Sequence, residues 1–249
     1  MITYNAGNLI MIGSFNLNAG YTGKITFGDV SLANPITTEG TIGFVLKVLT
    51  AGKVTFCKLF CEINDFNKVG YFLNLQNYSF ASLITVDAND NIYFSSTSNK
   101  TFYFDGVIRP TNYVVISSNA PLSSVVVKLN PSGAFVNLLS STGSLLAYKL
   151  LYNPVANSIF FAGVGFTGDK GIKLGNGALI SDLNTSGFYF ASFNTNLVLN
   201  SQVLTKGDAD GMYDNFNITL ANNGDSTILA FNYRYPLVIG ASTYDIPGK

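Results

Sequence analysis

Apolar and polar residues alternate along most of the chain, and clusters of Asn, Asp, Gly and Ser interrupt each alternating run. A period of two puts successive side chains on opposite faces of a strand, whereas a helix needs apolar residues three and four apart. In Val54-Thr55-Phe56-Cys57-Lys58-Leu59-Phe60-Cys61-Glu62-Ile63 the alternation places Cys57, Leu59, Cys61 and Ile63 on one face. Ile84-Thr85-Val86, then Asp87-Ala88-Asn89-Asp90-Asn91, then Ile92-Tyr93-Phe94 reads as strand, tight turn, strand. Asn, Asp and Gly accept positive φ and bond their side chains to nearby main chain, which is what a hairpin turn requires. Ile2-Thr3-Tyr4-Asn5-Ala6-Gly7-Asn8 is a close copy, and segments 150–157 and 218–225 have the same form.

These copies belong to an internal repeat. Segments beginning at Asn8, Asn91, Ser158 and Ser226 align at intervals of 83, 67 and 68 residues. A second strand type follows: Phe44-Val45-Leu46-Lys47 with Gly52, Val125-Val126-Val127-Lys128 with Gly133, and more loosely Tyr189-Phe190-Ala191-Ser192 with Leu197. Between the two lies an aromatic or apolar hairpin, at Thr26-Phe27-Gly28-Asp29, Phe102-Tyr103-Phe104-Asp105-Gly106 and Ile172-Lys173-Leu174-Gly175. One unit is thus a strand, a polar turn, a second strand, a small hairpin, a third strand, a Gly-containing turn and an outer strand. The expected fold is all-β, with antiparallel four-stranded repeats of β-propeller type. Approximate units are 1–80, 81–144, 145–215 and an incomplete 216–249, three full units plus a partial fourth. A ring of such units needs at least four blades, so the reading expects a longer polypeptide or further chains to complete it.

The segment Asp87-Ala88-Asn89-Asp90-Asn91-Ile92-Tyr93-Phe94-Ser95 followed by Val126-Val127-Lys128-Leu129-Asn130-Pro131-Ser132-Gly133 resembles the beta-propeller repeat family known as SBBP. Phe27-Gly28 and Phe44-Val45-Leu46-Lys47 carry the same signature in the first unit, while the third has Ser192 in place of the Lys. The resemblance implies a propeller used as a structural or binding module on surface proteins, and it carries no catalytic residues with it.

Composition narrows the chemistry. The 14 Lys+Arg balance 14 Asp+Glu, with no electrostatic footprint for nucleic acid or an anionic membrane. Glu occurs only at 39 and 62 and Arg only at 109 and 234, whereas there are 24 Gly, 20 Phe, 14 Tyr and 28 Asn, a strand-and-turn composition. The absence of His excludes Ser–His–Asp, Cys–His and His-based zinc chemistry. No basic-then-apolar leader is visible after Met1, and no apolar run has the roughly 18 residues needed for a membrane-spanning helix. Cys57 and Cys61 in one strand stand roughly 13 Å apart, too far to bridge, so they read as small buried apolar residues rather than a thiol metal site or redox switch.

Few residues remain as candidates for a site. Gly207-Asp208-Ala209-Asp210-Gly211-Met212-Tyr213-Asp214 spaces Asp208, Asp210 and Asp214 as a loop around calcium would, but without the bidentate Glu of an EF-hand. Asp87, Asn89 and Asp90 read as turn chemistry, and Lys47 and Lys128 as outward or rim residues of a strand. Tyr103, Tyr233 and Tyr235 are the candidates for stacking on a ligand such as a glycan, set against packing between units. No catalytic residue is assigned. The function expected is a non-enzymatic structural or adhesive module of a surface, filament or virion assembly, meeting neighbouring subunits or glycans through loops and blade edges. The alternatives are a carbohydrate-active enzyme using Asp and Tyr, or a calcium-dependent carbohydrate-binding module. Unpaired thiols without a leader favour cytoplasmic synthesis and assembly, as for a virion component.

Overall fold

The computed structural model describes residues 2–5, 7–17, 23–33, 40–64, 68–69, 83–98, 101–110, 123–166, 171–180, 186–205, 218–231, 237–239 and 242–244. Every regular element among them is a strand, and every pairing is antiparallel. The first unit comprises β1 (Ile2–Asn5), β2 (Asn8–Leu17), β3 (Lys24–Phe27), β4 (Val30–Ala33), β5 (Gly40–Leu49), β6 (Val54–Asn64) and the short β7 (Lys68–Val69). The second comprises β8 (Ile84–Val86), β9 (Ile92–Ser98), β10 (Thr101–Phe104), β11 (Val107–Pro110), β12 (Ser123–Leu129) and β13 (Phe135–Thr142). The third comprises β14 (Ser144–Asn153), β15 (Ser158–Phe166), β16 (Lys173–Leu174), β17 (Ser186–Asn194) and β18 (Leu199–Leu204). β19 (Ile218–Asn223), β20 (Ser226–Phe231), β21 (Leu237–Ile239) and β22 (Ser242–Tyr244) follow.

The repeat read from sequence is visible in the pairing. β1, β2, β5 and β6 form a meander. β8, β9, β12 and β13 repeat it, as do β14, β15, β17 and β18. β19 and β20 pair as the corresponding first two strands of the next unit. Between second and third strands stands a small hairpin, β3–β4, β10–β11 and the β16 stretch closed by an Ile172–Ile180 bridge, and the β21–β22 hairpin follows β20.

The turns explain why the repeat holds its register. The turn leading out of the third strand is bonded alike in all three units, through the amides of Leu49 and Gly52, of Asn130 and Gly133, and of Asn194 and Leu197. The carboxamide oxygens of Asn130 and Asn194 accept from main-chain N–H groups two and four residues on. Each turn is flanked by an irregularity in the ladder, at Lys47/Val48, Lys128/Leu129 and Ser192/Phe193. The chain takes positive φ at the same place each time, +79° at Gly52, +81° at Gly133 and +62° at Leu197. The first hairpin of each unit behaves likewise, with φ of +85° at Gly7, +62° at Asp90 and +47° at Asn157 just before the second strand.

The sheets pack face to face. Val125, Val127 and Leu129 of β12 join Ile10, Val45 and Phe60 of the first sheet in one core. Val126, between them in sequence, points the other way and joins Ile159, Phe161 and Tyr189 of the third sheet. These four side chains are 0% exposed, so the central strand of the second sheet is covered on both faces, with Lys128 standing between Val127 and Leu129. Each such side chain contributes roughly 1.5–3 kcal/mol by leaving water. Phe60 meets Phe94 across the first interface with ring centroids 4.9 Å apart, and Phe161 meets Tyr189 edge-on within the second core at 6.1 Å. The first strands also touch in succession, β1 to β8, β8 to β14 and β14 to β19.

The small hairpins lie on one consistent face. Phe60 pairs across the ladder with Gly43 and faces the second sheet, whereas Phe44 pairs with Leu59 and faces the other way. Phe44 carries the β3–β4 hairpin through Phe27, with centroids 4.8 Å apart, and Phe15 supports both. Phe102 and Phe104 of β10 lie between the first and second sheets, and Ile172 and Leu174 between the second and third.

Candidate functional site

The distinctive chemistry of the described residues lies in the seams between consecutive units. Sequence reading places each small hairpin inside its own unit, but the ladder joins it to the unit before. β10 pairs with β6, setting Phe104 opposite Phe60 and Tyr103 opposite Cys61, and Asp105 N–H donates to the Leu59 carbonyl at 2.9 Å. β16 pairs with β13, setting Leu174 opposite Ser141 and Lys173 opposite Thr142, and Gly175 N–H donates to the Ser140 carbonyl at 2.9 Å. Both seams have the same register: hairpin strand against the end of the preceding outer strand, closed by the first turn amide. The outer strand would otherwise expose a row of unpaired main-chain groups.

The recurring lysines belong to the same seams. Lys128 is buried at 8% exposure and donates from Nζ to the Thr195 carbonyl at 2.8 Å, in the turn of the third unit. Lys47 reaches from the first unit to the Pro131 carbonyl at 3.5 Å, in the equivalent turn of the second. Lys128, read from its recurrence as an outward or rim residue, is thus buried rather than outward; its ammonium needs a carbonyl, and the next unit supplies it. The third unit carries Ser192 there, whose hydroxyl shares a 2.8 Å hydrogen bond with Ser201 of its own sheet.

A buried polar group completes the second seam. Asp87, 3% exposed, accepts from the amides of Asn89 and Asn91 and from the Asn91 carboxamide, which is the turn chemistry read from sequence. It also accepts from the Tyr93 hydroxyl at 2.8 Å, and that oxygen stands 2.8 Å from the Thr195 carbonyl as well. One phenolic proton serves one acceptor fully, and the carboxylate is the stronger of the two, leaving Thr195 to Lys128. Burial first, then the Asp87 hydrogen bond and charge, hold the Tyr93 phenol above its ordinary range. Burial does the same to Tyr189. Both phenols are thus fixed as neutral hydrogen-bond donors.

Of the candidate ligand residues, Tyr103 lies half-buried on β10 and packs against the first core, within the seam between the first two units. Tyr233, Tyr235, Asp208, Asp210 and Asp214 lie outside the described residues. Phe102, Phe104, Phe188 and Tyr189 are all buried, so these aromatic runs pack between strands and sheets. Cys57 is a free, buried thiol, pushed up to about 12 chiefly by burial, and is inert as a nucleophile. Among the described residues no three His, Cys, Asp or Glu side chains gather as a metal site, and no helix is long and apolar enough to cross a membrane.

The outer surface of the first seam is partly apolar. Val107, Ile108 and Val136 are exposed, Arg109 stacks over the Phe135 ring at 3.8 Å, and Lys58 pairs with Asp105 at 2.5 Å. The sequence held signals for these seams that alternation alone does not decode: a Lys at a fixed place in two units, and a conserved turn shape in the unit following each. No family model, curated protein or solved structure matches the chain.

Proposed function

We propose that the chain is a non-enzymatic structural module of β-propeller type, a part of a larger surface, filament or virion assembly that binds neighbouring subunits through sheet edges and loops. The observation that carries this reading is the duplicated seam: two successive joints use the same strand register and the same lysine-to-turn bond. A chain whose buried polar groups are committed to joining units is organised for stacking and assembly. The succession of contacts among β1, β8, β14 and β19 supports a radial arrangement of blades, with first strands innermost. Light scattering over a wide concentration range, with negative-stain images of the largest species, tests the proposal. Discrete rings or filaments are the expected result; a monomer at every concentration overturns it.

A further inference from the structure

Asn is followed by Gly at two places, Asn176-Gly177 and Asn223-Gly224, and the fold gives the two pairs opposite surroundings. Asn is a thermolabile side chain, and it is most reactive before Gly, where no Cβ shields the main-chain nitrogen that can attack the carboxamide carbon. At Asn176 both reacting groups are occupied. The carboxamide oxygen accepts from the Leu199 amide at 3.3 Å, and Gly177 N–H donates to the Leu174 carbonyl at 3.1 Å. The pair is also enclosed, because a Cβ on Gly177 would stand 2.4 Å from the Leu199 side chain.

The pair at Asn223 is open. Asn223 and Ser226 face each other across a two-residue turn, so their own main-chain groups close the ladder and the N–H of Gly224 stands outside it. Gly224 has a φ of +61°, which suits the first position of a hairpin turn. Asn223, Gly224 and Asp225 are all exposed, and nothing lies within 4 Å of a Cβ on Gly224.

The same turn is a joint between β14 and β19. Asn153 is 0% exposed, and its carboxamide oxygen accepts from the amides of Val155 and Ala156 in its own turn. Its carboxamide nitrogen donates to the carbonyls of Gly224 and Ser226, each at 3.1 Å. Asn222 Nδ2 donates back to the Tyr152 carbonyl at 2.9 Å. Asn153 is therefore satisfied only while the 223–226 turn keeps its shape.

We infer that Asn223 is a site of spontaneous deamidation, with water as co-reactant, and that its conversion loosens the joint between the third sheet and β19–β20. The Gly224 nitrogen bonds to Asn223 Cγ, the carboxamide C–N bond breaks, and the Gly224 proton leaves with the amide nitrogen as ammonia. Water then opens the succinimide ring. Opening at Cγ gives aspartate; opening at the main-chain carbonyl carbon gives isoaspartate, in which the chain runs through Cγ and is one methylene longer. The longer turn carries the Gly224 and Ser226 carbonyls away from Asn153, whose buried nitrogen then loses its acceptors.

Peptide mapping of the full chain, held at mildly alkaline pH below its melting temperature, tests the site. In the folded protein the Asn223 peptide should convert to the acid at least roughly tenfold faster than the Asn176 peptide, because Asn176 reacts only after a local opening. In urea the two rates should converge, since the surroundings that separate them are gone. An isoaspartate-specific methyltransferase should label the aged protein at 223, and the labelled fraction should exchange amide hydrogens over 218–231 roughly tenfold faster than fresh protein, the effect of losing one or two hydrogen bonds. Asn223→Ser removes the carboxamide and should abolish both changes. Asn223→Asp carries the charge without the longer chain and should exchange like the parent. A folded Asn223 that converts no faster than Asn176 overturns the site. Conversion that leaves exchange over 218–231 unchanged overturns its effect on the joint, and faster exchange in Asn223→Asp overturns the longer chain as the cause.

Discussion

Lys128 crosses from the second sheet to the turn of the third and donates its ammonium proton to the Thr195 carbonyl at 2.8 Å. Because Lys128 is buried, losing that acceptor or that donor leaves a desolvated polar group behind. Lys128→Met keeps the stem and removes the charge, and it should cost about 1.5–3 kcal/mol in urea unfolding, the range for a hydrogen bond to a charged group. Lys47→Met removes the matching bond, which is 3.5 Å long and exposed, and should cost no more than about 0.5 kcal/mol. Equal costs at the two sites would refute the idea that burial sets their weight.

Tyr93 supplies the second prediction. Tyr93→Phe removes the hydroxyl and leaves Asp87 with its turn amides and Asn91, so the expected loss is about 1–2 kcal/mol. The informative measurement is a double-mutant cycle with Asp87→Asn and, separately, with Lys128→Met. Coupling of about 1 kcal/mol to Asp87 and little to Lys128 is expected if the phenolic proton goes to the carboxylate. The opposite pattern would assign the proton to Thr195.

How much of this was legible in the sequence depends on the range of the interaction concerned. Asp87, Asn130 and Asn153 cap turns with their own side chains, and those bonds span four residues or fewer, so residue type and spacing announce them. Within the meander the turn-linked pairs are equally local, whereas the second and third strands meet around a small hairpin, Asn8 with Leu49 for one, and their order was legible from the repeat of strand types rather than from spacing. The pairing of β10 with β6 is different. Nothing in Phe102-Tyr103-Phe104 says which side of the hairpin is edge-bonded, and alternation gives faces, not edges. Lys128 misled for a related reason: a charged residue in a strand reads as outward until the turn that receives it, 67 residues on, is placed.

Alkaline pH should weaken the fold in two steps. Cys57, whose ordinary value is 9.0, is pushed up to about 12 in the folded chain, and Tyr93 and Tyr189 are both held above their ordinary 10.0. The unfolded chain gives up these protons at the ordinary values while the folded chain keeps them, so unfolding releases protons and rising pH favours it. Stability is fully present below 9.0, declines from there through the thiol, whose share is spent by about 12, and declines more steeply above 10.0 as the phenols join. Urea unfolding at pH values on either side of these points checks the shape. Cys57→Ala should remove the part of the slope that begins at 9.0 and leave the rest.

Leu197 occupies a conformation that its two counterparts assign to glycine. Its φ is +62°, against +79° at Gly52 and +81° at Gly133, yet its side chain is 3% exposed and belongs to the second core. A side chain with Cβ pays about 1–2 kcal/mol for left-handed backbone, and a buried leucine returns about 1.5–3 kcal/mol by leaving water, so packing outweighs strain here. Leu197→Ala gives up the packing and keeps the strain, and should cost about 2–4 kcal/mol. Leu197→Gly gives up the packing but also the strain, less about 0.5–1 kcal/mol of extra chain entropy, so it should be the more stable of the two variants. That ordering inverts the usual one, and a glycine variant less stable than the alanine variant would show the turn to be unstrained. The neighbouring turns provide the control. A methyl group at Gly133 would stand 2.7 Å from the Phe56 ring, whereas nothing lies within 4 Å of one at Gly52. Gly133→Ala should therefore destabilise the protein by more than Gly52→Ala although their φ angles match, because the first turn is open to solvent and the second is pressed against the unit before it.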